Sequence, residues 1–155
     1  MKFKNPMLVV KDMEKSKQFY KQILGLHVIL DFGSNITLTG GVCLQTLESW
    51  AEFIGKSPQE ISFSSYNGEL YFEEDKFEEF VENIKASKIV ELVHDVKEHN
   101  WGQRVIRFYD LDHHIIEVGE NMKNVCKRFL DSGFTIEQTA KRMDVPIKYV
   151  QAMIK

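Results

Sequence analysis

The side chains able to do chemistry in this 155-residue chain are five histidines, two cysteines, several carboxylates set in apolar runs, and a cluster of cations near the C-terminus. His94, His99, His113 and His114 lie close together in sequence, and imidazoles in such a group are the usual anchors of a transition metal. His113 and His114 are adjacent, however, in or beside a turn, so their side chains leave in opposite directions and a surface location is expected. His27 stands alone on a strand and carries no signal. Cys43 and Cys126 are too few and too far apart to read as a disulfide framework or a thiolate metal site. Cys43 has no basic partner nearby, which makes it a buried inert thiol. Glu69 and Glu117 each begin or interrupt an apolar run. Strand alternation puts Glu69 with Tyr71 on one face, and Glu117 with Ile115. If the fold brought both into one apolar cleft, the two carboxylates would repel, raising the proton affinity of one of them, and such a pocket would suit a cationic or hydrogen-bonding small molecule. Arg104 lies on the Glu117 face if the hairpin joining their strands has a two-residue loop, either to hold an anion or to pair with the carboxylates.

The elements that must position these groups repeat. Lys2 to Val10 reads as a strand, Asp12 as an N-cap, and Met13, Phe19, Tyr20, Ile23 and Leu24 as a helical stripe stopped by Gly25. Three short strands follow, Leu26 to Phe32, Asn35 to Thr39 and Val42 to Leu47, broken at Gly33-Ser34 and Gly40-Gly41. A polar connector runs from Glu48 to Gly68. In it Trp50, Phe53 and Ile54 suggest a short helical turn, and the aromatics offer either a stacking wall at a cleft mouth or a seal on the core. The order then recurs: a strand from Glu69 to Glu73, a helix capped by Asp75 and carrying Phe77, Phe80, Val81 and Ile84, and strands at Ile89 to Val93, Gly102 to Tyr109 and His114 to Gly119. Each strand-helix-strand-strand-strand module covers only one face of its sheet, so two of them curl their strands around a shared cleft.

Length and composition fit one domain, or two small units, able to bury a core without staples. No apolar run is long enough to span a membrane, and the amino terminus lacks the apolar stretch of a signal peptide, so a cytoplasmic location is expected. The net charge of −3 is unevenly spread: from Glu120 onward seven Lys/Arg stand against four Asp/Glu, and the preceding 119 residues carry −6. The basic part reads as helices at Asn121 to Ser132, Ile136 to Met143 with Thr135 as N-cap, and a last helix beginning near Pro146.

The run Trp101-Gly102-Gln103-Arg104 through Phe108, Asp110-Leu111-Asp112-His113 and then His114-Ile115-Ile116-Glu117-Val118 resembles the final hairpin of the glyoxalase / bleomycin-resistance / extradiol-dioxygenase group, the vicinal oxygen chelate superfamily. The pattern there is W-G-x-R, an extended run, D-P-D-G, and apolar residues with a Glu. Leu111 stands in place of Pro, and His113 in place of Gly, a position where His tolerates positive φ. Met7 to Asp12, Phe19-Tyr20 and Leu24-Gly25-Leu26 fit the same group, over about residues 2 to 119. The resemblance implies an α+β fold of paired modules (about 2–47 and 69–119) forming a curled mixed sheet with a cleft, followed by a helical extension over 120–155.

It also implies a site. Metal-dependent members carry a ligand at four positions, which counted through the repeat are Asn5, Gln45, Glu69 and Glu117. Such a set suits a divalent cation (Zn, Ni, Mn or Mg), although no position is His. Two readings stand side by side: a metal-dependent lyase or isomerase in which Glu117 or Glu69 moves a proton while vicinal substrate oxygens chelate the ion, and a non-catalytic small-molecule or antibiotic binder using the same cleft. Arg104, Phe108, Trp50 and Tyr71 are the expected ligand contacts, and a homodimer is expected by the same resemblance. The tail resembles a helix-turn-helix, with Ala140, Val145 and Val150 at the motif's packing positions, Asp144 for its turn Gly, and Lys141, Arg142 and Lys148 as phosphate contacts. Its last helix has few base-reading side chains beyond Lys148 and Gln151. A helical cap docked on the sheet or on a partner subunit is therefore expected, nucleic acid is not an expected partner, and a ligand-responsive DNA binder is the remaining alternative.

Overall fold

A computed structural model describes residues 1–154. The chain divides into two compact units, one made of Met1–Gly68 with Tyr109–His114, the other of Glu69–Phe108 with everything from Ile115 onward.

In the first unit β1 (Met7–Val10) leads to α1 (Met13–Leu24), then β2 (Val28–Asp31), β3 (Asn35–Leu38), β4 (Cys43–Thr46) and α2 (Leu47–Phe53). Helix α1 starts and stops where its sequence dictates. The Asp12 carboxylate accepts from the Lys15 N–H, and Gly25 takes the left-handed conformation at φ 66°, returning its N–H to the Lys21 carbonyl. Phe19 and Tyr20 are buried on its inner face. The sheet order is β1-β4-β3-β2, with β1 parallel to β4 and Val9 opposite Gln45.

The second unit repeats that order. β5 (Glu69–Glu74), α3 (Phe77–Ala86), β6 (Glu91–Glu98), β7 (Arg104–Tyr109) and β8 (Ile115–Glu120) form a sheet β5-β8-β7-β6, with β5 parallel to β8 and Tyr71 opposite Glu117. The fold is thus mixed α+β, with two four-stranded sheets of identical strand order. The helix caps are not equivalent. Lys76, not Asp75, is the N-cap of α3 and gives no side-chain hydrogen bond; the Asp75 carbonyl instead accepts from Asn124.

Three helices complete the second unit: α4 (Met122–Asp131), α5 (Ile136–Met143) and α6 (Ile147–Met153). They have a core of their own, built from Val125, Cys126, Phe129, Ala140, Met143 and Val150. Arginines tie them to the sheet. Arg128 bonds Glu120 and the Gly102 carbonyl, and Arg142 bonds Glu98 and the Asn100 carbonyl. Among the described residues no helix is long and apolar enough to cross a membrane.

The Trp-Gly-Gln-Arg run is a fastening. Gly102 sits at φ 88°, and a Cβ there would fall 2.3 Å from the Phe129 ring. Gly102→Ala therefore meets both backbone strain and a clash, and should cost at least ~2 kcal/mol. Gly33→Ala, at φ 80° with open space around it, meets the strain alone and should cost ~1 kcal/mol. Urea denaturation of the two variants measures the difference; equal losses would mean that Phe129 yields without cost.

Candidate functional site

On the second sheet, one guanidinium organises three neighbours. Arg107 Nε donates to Glu69 at 2.8 Å, Arg107 Nη2 pairs with Glu117, and Arg107 Nη1 lies 3.3 Å from His94 Nε2. Glu69 opens β5, Glu117 lies on the neighbouring β8, Arg107 is on β7 and His94 on β6, so all four strands contribute one member. The Glu117 side chain is only 7% exposed, against 36% for Glu69 and 22% for Arg107. Taking a carboxylate that far out of water is tolerable only with a partner at hand.

The imidazole is fixed by its neighbours. A guanidinium has donors only, so in the Arg107 contact His94 Nε2 is the acceptor. His94 Nδ1, 2.7 Å from the Asp95 carbonyl, then carries the proton. Two carboxylates against one guanidinium leave the acidic groups of this cluster in excess by about one charge. Beside it, half-exposed Tyr71 donates its hydroxyl proton to Glu73 at 3.0 Å and accepts from Gln103 Nε2 at 2.7 Å. Burial raises its pKa above the usual phenol value, and the Gln103 bond partly offsets this.

Arg107 was missing from the sequence reading because the hairpin loop is not two residues long. The Asp110 N–H donates to the His114 carbonyl, so Leu111, Asp112 and His113 form a three-residue loop, with His113 at φ 64°. A loop longer by one residue turns every β7 side chain to the opposite face. Arg104 therefore does not share the Glu117 face. It pairs instead with buried Glu120 and with Glu78, on the side where Arg128 also reaches Glu120. Burial pushes the Glu120 carboxyl up, but the two guanidinium groups outweigh it and hold the pKa below the usual range. Phe108, expected at the ligand, is fully buried, its ring 6.3 Å from that of Phe80 of α3 and tilted 41° to it. The αL residue at the fourth place of Asp-Leu-Asp-His was the signal for the longer loop.

The other expected site residues belong to the first unit. Gln45 is buried on β4, its Oε1 accepting from Asn35 at 2.7 Å and its Nε2 donating to Ser49. Trp50 is half-buried on α2. Asn5 lies before β1, exposed, with Nδ2 on the Gly41 carbonyl. The matching registers make Met7, not Asn5, the counterpart of Glu69: each lies two residues before the residue opposite Gln45 or Glu117. Met7 brings a thioether, a poor ligand for a hard cation. A divalent ion at Glu69 and Glu117 would have to displace Arg107, and among the described residues no group of three or more His, Cys, Asp or Glu is arranged to hold one. This donor set does not fit a metal while Arg107 is in place.

The hairpin's own aspartates are structural. Buried Asp110 accepts from the Tyr20 hydroxyl, from the Asp112 and His114 backbone N–H groups, and from His114 Nδ1; Asp112 accepts from the Lys11 N–H.

No curated protein matches the chain. Among solved structures, it is similar to a protein of unknown function from Agrobacterium tumefaciens str. C58 (38% identity, TM-score 0.69), over 78% of this chain and 94% of that one. It also shares its fold with a glyoxalase-related enzyme from Fulvimarina pelagi (18% identity, TM-score 0.65), over 78% and 88% of the two chains. A lactoylglutathione lyase from Agrobacterium tumefaciens does so as well (17% identity, TM-score 0.56), over 77% and 93%. Residues 3–123 match the glyoxalase-like domain, and with the repeated sheets, the W-G-x-R fastening and the Asp-Leu-Asp-His hairpin on the same stretch, the chain belongs to the glyoxalase-like domain family of the vicinal oxygen chelate superfamily.

Proposed function

We infer that this protein is a small-molecule-binding member of the family that works without a divalent metal, the Arg107 guanidinium supplying the positive charge beside Glu69 and Glu117. The observation that carries the reading is the bridging of both carboxylates by that one side chain. The lone pairs given to Arg107 are withheld from a metal, and the excess of about one acidic charge favours a neutral or cationic ligand that hydrogen-bonds to Glu69 and the Tyr71 hydroxyl. This supports the non-catalytic, bleomycin-resistance-like reading over the lyase. A homodimer belongs to the same proposal. Its support is the edge strand β2, whose residues are all exposed although three of the four are apolar, with Phe32 next to it exposed as well.

The test is elemental analysis of protein purified without chelator, followed by calorimetric titration with Zn²⁺, Mn²⁺, Ni²⁺ and Mg²⁺. The expected result is far less than one equivalent of bound metal and no saturable heat at micromolar concentrations. One tightly bound equivalent, or metal-dependent formation of lactoylglutathione from the methylglyoxal–glutathione hemithioacetal, would overturn the reading.

A further inference from the structure

The match to the glyoxalase-like domain stops at residue 123, so the family's ligand chemistry does not account for α4–α6. We propose that these three helices are a DNA-binding unit that presents α6 to the major groove of a duplex.

The geometry is that of a helix-turn-helix. Helix α5 begins at a reciprocal capping box, the Thr135 hydroxyl accepting from the Gln138 N–H while the Gln138 side chain accepts from the Thr135 N–H. It ends at Asp144, held in the left-handed conformation at φ 55°, ψ 45°. The Val145 N–H returns to the Ala140 carbonyl, which closes a tight turn into α6. Ala140 is buried where the two helices approach, a position at which a larger side chain would hold them apart. Thr139, Met143 and Val150 are buried with it, and Val145, Tyr149 and Met153 pack at the edge of the same core. Every inward position of the motif is therefore filled by a packing residue.

What remains outside is a continuous face of α6 and the residue before it: Pro146, Ile147, Lys148, Gln151 and Ala152 are all exposed. The tail's arginines do not belong to that face, since Arg128 and Arg142 fasten α4 and α5 to Glu98, Glu120 and the carbonyls of the β6–β7 turn. These fastening bonds come from α4 and α5; on α6, half-buried Tyr149 lies near Glu73 and Tyr71 of β5, and the Pro146–Ala152 face stays exposed. Lys123, Lys127, Lys141 and Lys148 are exposed and have no acidic partner among the described residues, which supplies the positive charge a phosphate backbone attracts. Lys148 and Gln151 are the side chains able to reach base edges, Lys to guanine and Gln to adenine. Exposed Asp131, Glu137 and Asp144 on the same helices moderate the attraction, so binding should be modest and steeply salt-dependent.

The test uses the full-length protein and a fluorescein-labelled random-sequence 24-base-pair duplex, read by anisotropy from about 30 to 300 mM salt, with selection of tight binders from a random duplex pool. Binding in the micromolar range at low salt is expected, with at least one enriched sequence. The double variant Lys141→Glu/Lys148→Glu should lose at least tenfold in affinity and about two units of salt slope, its circular dichroism and melting unchanged. No binding at the lowest salt, equal affinity for single-stranded DNA, or binding that the double substitution leaves intact would each overturn the proposal.

Discussion

Replacing Arg107 by methionine is expected to lower the unfolding free energy by ~3 kcal/mol at pH 7. Methionine keeps an apolar stem of similar reach and removes only the guanidinium. Glu117, at 7% side-chain exposure, is then a buried carboxylate with no cation, and removing one partner of a buried pair is costly because the other stays desolvated. The estimate sits at the low end for such a break because Glu69 is more than a third exposed and Arg107 itself is partly solvated, so water screens part of the field. Two companion variants isolate the cause. Arg107→Met with Glu117→Gln should recover most of the loss, since a neutral amide needs no counter-charge. Arg107→Lys should retain roughly half, because an ammonium keeps the charge but cannot bridge two carboxylates with a planar fork. Urea denaturation of the set gives the coupling energy directly. Millimolar Mn²⁺ should stabilise Arg107→Met and leave the parent protein unchanged. A loss below about 0.5 kcal/mol in Arg107→Met, no larger than an ordinary surface substitution, would show that the bridge contributes nothing.

This cluster also marks where sequence reasoning reached its limit. Elements held by local chemistry were legible. Asp12 and Gly25 bound α1, Thr135 begins α5, and the turn at Asp144 follows from a residue able to enter the left-handed region. The repeat was legible because its strands are short apolar runs separated by glycines, and both sheets take the same order. Asp75 was misread because an acidic residue before a helix is only a candidate cap; its carbonyl serves Asn124 instead, and the chain enters α3 through Lys76. Which side chains face Glu117 turns on register. Whether Arg104 or Arg107 faces Glu117 depends on a single residue of loop length, and Asn5 against Met7 depends on where β1 starts pairing with β4. Both are tertiary facts of strand pairing, which alternation within one strand cannot supply.

The same hairpin carries the second large effect. Asp110→Asn should cost ~3 kcal/mol, while Asp112→Asn, two residues along the same turn, should be close to neutral. The difference lies in what each carboxylate accepts. Asp110 is approached by four donors, the Tyr20 hydroxyl, two backbone N–H groups and His114 Nδ1, so an amide nitrogen introduced there must face at least one of them. Asp112 accepts the Lys11 N–H, a bond that the amide oxygen of Asn can keep. The pKa directions agree. Burial pushes the Asp110 carboxyl up, yet the His114 and Tyr20 bonds overcome it and the pKa lies below the usual aspartate value. Its stabilising contribution is thus complete above the unfolded-state pKa of about 4, and is lost as pH falls through the lower folded value. Burial raises the Asp112 pKa, aided by the Asp110 charge and opposed by the Lys11 N–H, so its ionised form costs stability that protonation returns as pH falls through the raised value. Removing the Tyr20 hydroxyl alone, in Tyr20→Phe, should cost ~1.5 kcal/mol, about half the Asp110→Asn loss, because the other three donors remain satisfied. Denaturation at pH 7 and again at about pH 3, below the unfolded-state value, separates the aspartates: the Asp110→Asn deficit should shrink at the lower pH, while the small Asp112→Asn effect moves toward destabilisation. Equal losses at both positions would mean that the turn is held by its backbone alone and that the buried carboxylate of Asp110 is dispensable.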